Sequence, residues 1–505
     1  MNKRSLILSL LSGVLLVLSF PKFGIGLVAW IALVPLFHAI RELDPGEAFL
    51  NGFLAGCVFN IGLFYWVVHV VVHYGDLPLY TAIPIMLLMA FYLALYVSVF
   101  AAGTAYFRGK GISEIVSAPL LWIALEYAKS YFVTGFPWEN LAASQYAFVP
   151  FIQIADITGM YGISFFIVLV NAVLFAALIR QRARTLVPAV GITLLLGILI
   201  IGYGYSRMNA VDDRVHKAKL IPISLIQGNI DQSIKWNPQF QMRTLDIYRS
   251  LSFEAAKEEK GRLIVWPETA APFFFQDNDH RHRAIRNIAV KTRSHLLFGA
   301  PSYGREEGAY FLRNSAYLIR PDGSMAGRYD KVHLVPFGEY VPLKKYLFFV
   351  DRLVEGVGNF MPGAGFEPLM IDGNKAGVLI CYEGVFPEIS REYRKRGASL
   401  LINVTNDAWY GRTSAPYQHM SMLAFRAVEN RLFIARAANT GISAMIDPAG
   451  RIMTKSGLFE RTYLNGNIAF LEGGTFYSRY GDVFTYCCLG FLLVICLTAL
   501  RLKKE

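Results

Sequence analysis

Three features of the sequence predict an α-helical polytopic membrane domain with eight transmembrane helices joined to an α/β domain. Charge is distributed unevenly, long runs carry no charge at all, and the one polar stretch alternates short β-rich runs with helix-compatible ones. Of 505 residues, 54% are apolar and 17% charged, where an average soluble protein has roughly a quarter charged. Residues 207–482 hold 36 Lys/Arg and 28 Asp/Glu, residues 1–206 hold 10 and 8, and residues 483–505 hold 3 and 1. A polar domain is therefore set between lipid-soluble segments, giving boundaries at 1–206, 207–482 and 483–505. This pattern excludes a disordered chain, a coiled coil and a single soluble enzyme. The net charge of +12 spreads over all three blocks without a run of five like charges, so it does not describe a nucleic-acid-binding face.

A membrane-spanning helix needs about 20 mostly apolar residues. Runs at 5–21, 23–40, 48–75, 77–107, 157–179, 185–206 and 483–500 contain no Asp, Glu, Lys or Arg, and 112–132 is apolar apart from Glu114, Glu126 and Lys129. Seven spans thus precede the polar block and one follows it. The first run follows a basic MNKR, as a secretory signal does, but no small-residue cleavage site follows it and the next apolar run begins almost at once. Loop charge sets the orientation. With the N-terminus inside, Lys3, Arg4, Arg41, Arg108, Lys110, Arg180, Arg182, Arg184, Arg501, Lys503 and Lys504 fall on the inner side, and only Lys22 and Lys129 on the outer. Eleven against two places both termini in the cytoplasm and 207–482 outside, which in a bacterium is the periplasm.

Within the polar block, β-rich runs at 219–226, 262–266, 295–300, 376–381, 399–404 and 432–437 alternate with helix-compatible stretches at 238–259, 279–294, 385–396 and 416–430. Pro321-Asp322-Gly323 and Asp447-Pro448-Ala449-Gly450 read as hairpin turns. The alternation predicts a mixed, layered α/β domain. No phosphate-binding glycine motif occurs, and nothing implies a nucleotide, metal or organic cofactor. Cys57, Cys487, Cys488 and Cys496 lie in predicted spans; Cys381 is alone in the polar domain and has no internal disulfide partner there.

Three segments concentrate chemistry: Trp266-Pro267-Glu268 at a strand end, Lys331 to Tyr340 (KVHLVPFGEY) with Lys331 and Glu339, and Cys381-Tyr382-Glu383. Loops beyond strand C-termini are where α/β folds build sites. A thiol attacks only as the thiolate and so needs a base, which a glutamate raised by an apolar pocket provides. A lysine offers positive charge where a tetrahedral intermediate becomes negative. Glu268, Lys331 and Cys381 are a chemically sufficient set for acyl transfer through a thioester. Taken singly, a strand-end cysteine is more often packing, Trp-Pro-Glu a turn and a lysine a solvated surface group.

In this order and over this span, the three segments resemble the nitrilase superfamily with its Glu-Lys-Cys triad. The stretch RYDKVHLVPFGEYVP, together with seven spans, an outer domain and a last span, resembles the apolipoprotein N-acyltransferase family over essentially the whole chain. The resemblance implies an αββα sandwich at the outer face of the bacterial inner membrane. It also implies a ping-pong reaction: Cys381 takes the sn-1 acyl chain of a phospholipid, then yields it to the N-terminal α-amine of the S-diacylglyceryl-cysteine of an apolipoprotein. It makes Cys381 the nucleophile, Glu268 the base and acid, Lys331 the oxyanion's partner, Glu339 the group orienting that lysine, and Tyr382, Glu383 and Trp236 supporting residues. Backbone N–H groups after Cys381 would complete the oxyanion hole. Such an enzyme belongs in the bilayer, because moving an acyl chain of about 16 carbons into water costs on the order of 10 kcal/mol at about 0.8 kcal/mol per CH₂. A monomer suffices for this chemistry.

Aromatic runs after two of the segments, Phe273-Phe274-Phe275 and Phe348-Phe349, the latter beside Lys344-Lys345, are expected to form a lid over the acyl chain that keeps water off the thioester; the competing expectation is that they pack in the core. Trp138 and Tyr74 are expected to border the lipid entrance or to anchor the interface. Glu126 is expected to pair locally with Lys129. His69 and His73 lack a third metal ligand, and His333 suggests a Cys-His hydrolase that explains fewer residues than the triad does. Two other functions compete: a membrane-anchored nitrilase-type amidase with water as acceptor, and a transporter, for which the spans are too poor in polar residues.

Overall fold

The computed structural model describes residues 2–179, 183–259, 261–306, 309–340 and 360–502. By length and composition, five of the described helices suffice to cross a membrane: Pro45–Phe64, Leu79–Gly109, Ala155–Leu178, Ala183–Lys217 and Val483–Arg501. Lys3–Ser19 and Glu114–Tyr131 are further helices at expected spans. The predicted span 23–40 is not a continuous helix. It is a 3-10 turn at Gly26–Trp30 followed by the short Val34–Ala39 helix, because Gly24 takes a left-handed φ of 69° and Pro35 starts a new helix. The run 48–75 is likewise split, into Pro45–Phe64 and Trp66–Tyr74. The 35-residue Ala183–Lys217 helix is about 52 Å long at 1.5 Å per residue. It passes the 206/207 boundary unbroken and carries Asp212 to the catalytic layer, where Arg451 holds it.

The polar region forms two six-stranded sheets, β12-β1-β2-β3-β4-β5 and β11-β10-β9-β8-β7-β6. The strands are β1 Leu220–Gln227, β2 Leu263–Val265, β3 His295–Glu306, β4 Ala309–Ile319, β5 Met325–Asp330, β6 Leu369–Ile371, β7 Asn374–Ile380, β8 Leu400–Thr405, β9 Ile434–Ala438, β10 Ala444–Ile446, β11 Ile452–Lys455 and β12 Thr462–Ala469. The runs β1-β2-β3 and β7-β8-β9 are parallel, whereas the two predicted hairpins join β4 to β5 and β10 to β11 antiparallel.

Side-chain alternation builds the layers. Leu263 and Val265 of β2 and Ala316 and Leu318 of β4 enter one core with Val378, Leu401 and Ile434 of the second sheet. Their neighbours Ile264, Trp266, Tyr317 and Ile319 enter another, with Leu245, Tyr248, Ile285 and Ile288 of the Pro238–Ala255 and His280–Thr292 helices. Period-two patterning thus gives the central strands two buried faces, and the result is helix, sheet, sheet, helix. The Pro387–Lys395 and Ala415–Asn430 helices cover the second sheet, and the latter is buried at every position but the half-buried Tyr417 because it also faces the membrane helices.

Candidate active site

Glu268 sits in the turn after β2, Lys331 directly after β5 and Cys381 directly after β7. Strand ends deliver all three to one buried site. Glu268 is 7% exposed, Lys331 1% and Cys381 6%. The side chain of Asn314, on β4, donates to Glu268 Oε1 at 2.7 Å and to Glu339 Oε1 at 3.0 Å, tying the two carboxylates together. The backbone N–H of Asn406, just after β8, donates to Glu268 Oε2 at 2.9 Å. The Lys331 ammonium pairs with Glu339 Oε2 at 2.8 Å, and Glu339 is itself fixed by the Val335 N–H at 2.8 Å.

Burial raises the Glu268 carboxyl above its usual range, against the lowering effect of Lys331. Burial also works against charge on Lys331, but Glu339, Glu268 and Cys381 outweigh it and hold the ammonium above its ordinary value. The Cys381 thiol is pushed well up by burial and by the negative charge of Glu268, with Lys331 and the Thr405 hydroxyl opposing. Before substrate arrives the site therefore holds a neutral thiol, a base of raised affinity for protons and a permanent cation. That arrangement permits base-assisted thiol attack, with Lys331 positioned to meet negative charge.

Cys381 has φ +53°, a backbone state that costs a non-glycine residue of order 1–3 kcal/mol and persists only when its surroundings impose it. They do so on both sides. Glu383 Oε2 accepts the Ile380 N–H at 2.8 Å before the turn; after it, the Cys381 carbonyl accepts from Asn403 Nδ2 at 3.3 Å and contacts His419 Nε2 at 3.2 Å. Behind them, Arg436 binds Asn403 and Asp407, each at 2.6 Å. Burial opposes charge on Asp407, yet Arg436 and His419 hold its carboxyl down at about 2.

The other expected residues divide. Glu383 is a clamp, described further below. Tyr382 stacks on Trp138, 6.1 Å between ring centroids, and Trp138 is fully buried with its indole N–H on Gln418 Oε1 at 3.0 Å; the pair seals the junction with the membrane helices. Tyr74 belongs to the same junction, donating to the Ala408 carbonyl at 2.9 Å. Trp236 is 49% exposed at the end of a short turn. Phe273 and Phe275 are buried in the outer core, with Arg281 over the first ring and Phe298 and Tyr317 against the second. They are packing residues rather than a lid, and Phe274 lies edge-on to Tyr303. Phe348 and Phe349 lie outside the described residues. Glu126 accepts from the Trp122 indole and the Leu141 N–H, while Lys129 donates to the Trp138 carbonyl; among the described residues no ion pair joins Glu126 and Lys129. His69 packs on Gly411, and its ring lies 4.0 Å from that of His73. The His333 ring packs on Phe386 and is held down at about 4 by burial and by Lys331, so it is a neutral packing group.

Asn314, Asn406 and the His419-Asp407-Arg436 group escape sequence reasoning. Only Asn406 carried a signal, its place immediately after the parallel strand β8. Lys235 was also missed: it is buried, and its ammonium lies 3.4 Å from the Glu268 carbonyl.

Comparison with known proteins places both halves of the chain. Residues 12–173 match the apolipoprotein N-acyltransferase N-terminal domain, and residues 223–472 match the carbon-nitrogen hydrolase family. A solved amidase from Nesterenkonia sp. is 25% identical, with a TM-score of 0.38, over 49% of this chain and 90% of the amidase. The apolipoprotein N-acyltransferase of Methylococcus capsulatus is 33% identical, covering 95% of this chain and 93% of that protein. That of Geobacter metallireducens is 45% identical over 99% of this chain and 96% of its own length. A relation of that depth over membrane helices and hydrolase-like domain together leaves one assignment: the chain belongs to the apolipoprotein N-acyltransferase family.

Proposed function

We propose that the chain moves an acyl group from the sn-1 position of a membrane phospholipid to the α-amine of a diacylglyceryl apolipoprotein, with Cys381, Glu268 and Lys331 as its catalytic residues. In the first half-reaction Glu268 takes the thiol proton as Cys381 Sγ attacks the ester carbonyl. Lys331 and backbone N–H groups after Cys381 stabilise the oxyanion, and collapse expels the lysophospholipid alkoxide, which recovers the proton from Glu268. In the second, the α-amine attacks the thioester and gives up a proton to Glu268, and the thiolate leaves and is reprotonated. The observation that carries this reading is the shared burial of a neutral thiol, a raised carboxyl and a paired lysine beside the membrane helices. Its family favours an amine acceptor over the water acceptor of an amidase.

We also infer the arrangement in the membrane: eight crossings, cytoplasmic termini and residues 207–482 in the periplasm, supported by the eleven-to-two bias of loop charge. A monomer is sufficient. The test is mass spectrometry of the purified full-length protein after incubation with phospholipid. A hydroxylamine-sensitive acyl adduct on Cys381 is expected, absent in Cys381→Ala and discharged onto a diacylglyceryl peptide amine. Absence of an adduct, or lipoprotein maturation by the alanine variant, defeats the proposal; release of free fatty acid alone supports the amidase.

A further inference from the structure

We propose that Lys235 is a positioning residue for Glu268: a second buried ammonium that anchors the glutamate's turn through its backbone carbonyl and balances the charge of its carboxylate. This rests on Glu268 acting as the base.

Lys235 is 1% exposed, and among the described residues its one hydrogen bond, to the Glu268 carbonyl at 3.4 Å, is long. A buried ammonium so poorly solvated is costly unless an opposite charge faces it. Burial lowers it to about 8, and among the described residues the charge acting in its favour is that of Glu268.

Its placement is imposed by the chain around it. The Asn229 N–H donates to the Asn439 carbonyl at 3.0 Å, the Ile230 N–H to Asn439 Oδ1 at 2.9 Å and Asn439 Nδ2 to the Ile230 carbonyl at 2.8 Å. Gln232 Oε1 accepts from Asn406 Nδ2 at 2.8 Å, and the same Asn406 holds Glu268 Oε2 through its backbone N–H. The segment that presents Lys235 is therefore stapled to the loop that also grips the glutamate. Asp231 caps the short turn ending at Lys235, and the neighbouring Trp236 faces outward.

Charge accounting gives the role. The groups bearing on Glu268 are Lys331 and Glu339 from the segment after β5 and Lys235 from the turn after β1. Cys381 faces it from the turn after β7, and the neutral Tyr410 from the turn after β8. Beyond Cys381, Asp407 is already neutralised by Arg436 and flanked by His419. Two carboxylates, Glu268 and Glu339, thus face a single ammonium at Lys331 unless Lys235 is counted. With it, the two ammoniums bearing on Glu268 offset the charges of Glu268 and Glu339, which favours the ionised carboxylate that accepts the thiol proton.

The test measures single-turnover acylation of Cys381 by phospholipid across pH in full-length protein, comparing wild type with Lys235→Met, Lys235→Gln and Lys235→Arg. Glutamine keeps a hydrogen-bond donor without the charge, so it separates the two contributions and protects against a methionine variant that fails to fold. The expected result is an acidic limb moved up by about one pH unit in Lys235→Gln, as removal of a nearby opposite charge predicts, with arginine restoring the wild-type limb. An unmoved limb in Lys235→Gln, or an arginine variant that behaves like glutamine, overturns the proposal. Failure of the underlying reading is separately visible: if Glu268 is not the base, Glu268→Gln acylates like wild type.

Discussion

The carboxylate of Glu383 accepts four hydrogen bonds. Oε1 takes the Tyr329 hydroxyl at 2.8 Å and the N–H groups of Val332 at 2.8 Å and His333 at 3.0 Å, and Oε2 takes the N–H of Ile380 at 2.8 Å. One side chain thereby ties the strand before the nucleophile to the segment that carries Lys331. Burial lifts it to about 6, so it is still ionised at neutral pH and can accept on every side. Glu383→Gln turns one face into a donor opposite N–H groups; at about 1–3 kcal/mol per buried group left unpaired, unfolding stability in detergent is expected to fall by roughly that amount, with slower acylation as Lys331 shifts. His333 makes the opposite case. It is neutral throughout the working range, so His333→Phe is expected to leave the acidic limb of the acylation profile in place; a shifted limb would restore the Cys-His alternative. At this scale the sequence made the reacting groups legible, because thiol, carboxyl and ammonium are chemically distinctive and follow β-runs. Asn314 was not, since an asparagine inside a strand looks the same whether or not it bridges two carboxylates, and Lys235 was eclipsed by the more conspicuous Trp236.

Elements show the same division. The β-rich run of β2 was readable as a strand, but its consequence depends on packing: Ile264 and Trp266 face one core, Leu263 and Val265 the other, and the turn that follows must lie flat on β3. Gly299 permits this. Its N–H donates to the Pro267 carbonyl at 3.1 Å, and its carbonyl accepts from the Ala271 N–H at 3.0 Å. A Cβ at Gly299 would stand 2.7 Å from both the Glu268 Cα and the Pro267 oxygen, backbone atoms that can yield only by moving the glutamate. Gly299→Ala is therefore expected to cut acylation on the order of 100-fold, the effect of about 1 Å of misplacement, while the protein still folds; a variant of wild-type rate in the hydroxylamine assay would show the turn to be more compliant than its contacts imply. The Phe273-Phe274-Phe275 run misled for a related reason. Consecutive aromatics after a catalytic segment suit a lid or a core equally, and only the arrival of Phe298, Tyr317 and Arg281 from elsewhere in the chain decides it. The unbroken span expected at 23–40 failed because hydropathy counts apolar residues and gives little weight to Gly24 and Pro35 as helix interruptions.

On the scale of the whole molecule, the site depends on how the hydrolase-like layers sit on the helices, and that junction is polar. Gln418 takes the Trp66 and Trp138 indoles on its Oε1 and gives its amide to the carbonyls of Pro21 and Leu63. Deeper in the junction, Arg431 at the end of the Ala415–Asn430 helix binds Asp156 Oδ2 at 2.6 Å, and the same carboxylate takes the Tyr203 hydroxyl at 2.7 Å and Arg207 Nε at 2.9 Å. Two distant parts of the chain thus converge on one acid that, in the sequence, only marks the edge of an apolar run; Arg431 lies 275 residues away, beyond the reach of any local pattern. Both Arg431 and Asp156 have side chains 2% exposed, so removing one leaves a desolvated charge, which costs about 3–5 kcal/mol, whereas replacing both with apolar groups of similar size is close to neutral. Asp156→Leu alone is expected to lower unfolding stability in detergent by about that amount. The double variant with Arg431→Met removes both buried charges but leaves Arg207, the Tyr203 hydroxyl and Gln153 Oε1 without these partners, and is expected to recover part of the loss. If Asp156→Leu unfolds like wild type, the junction is held by Gln418 and the buried aromatics instead, and Gln418→Leu becomes the variant that separates the site from the bilayer.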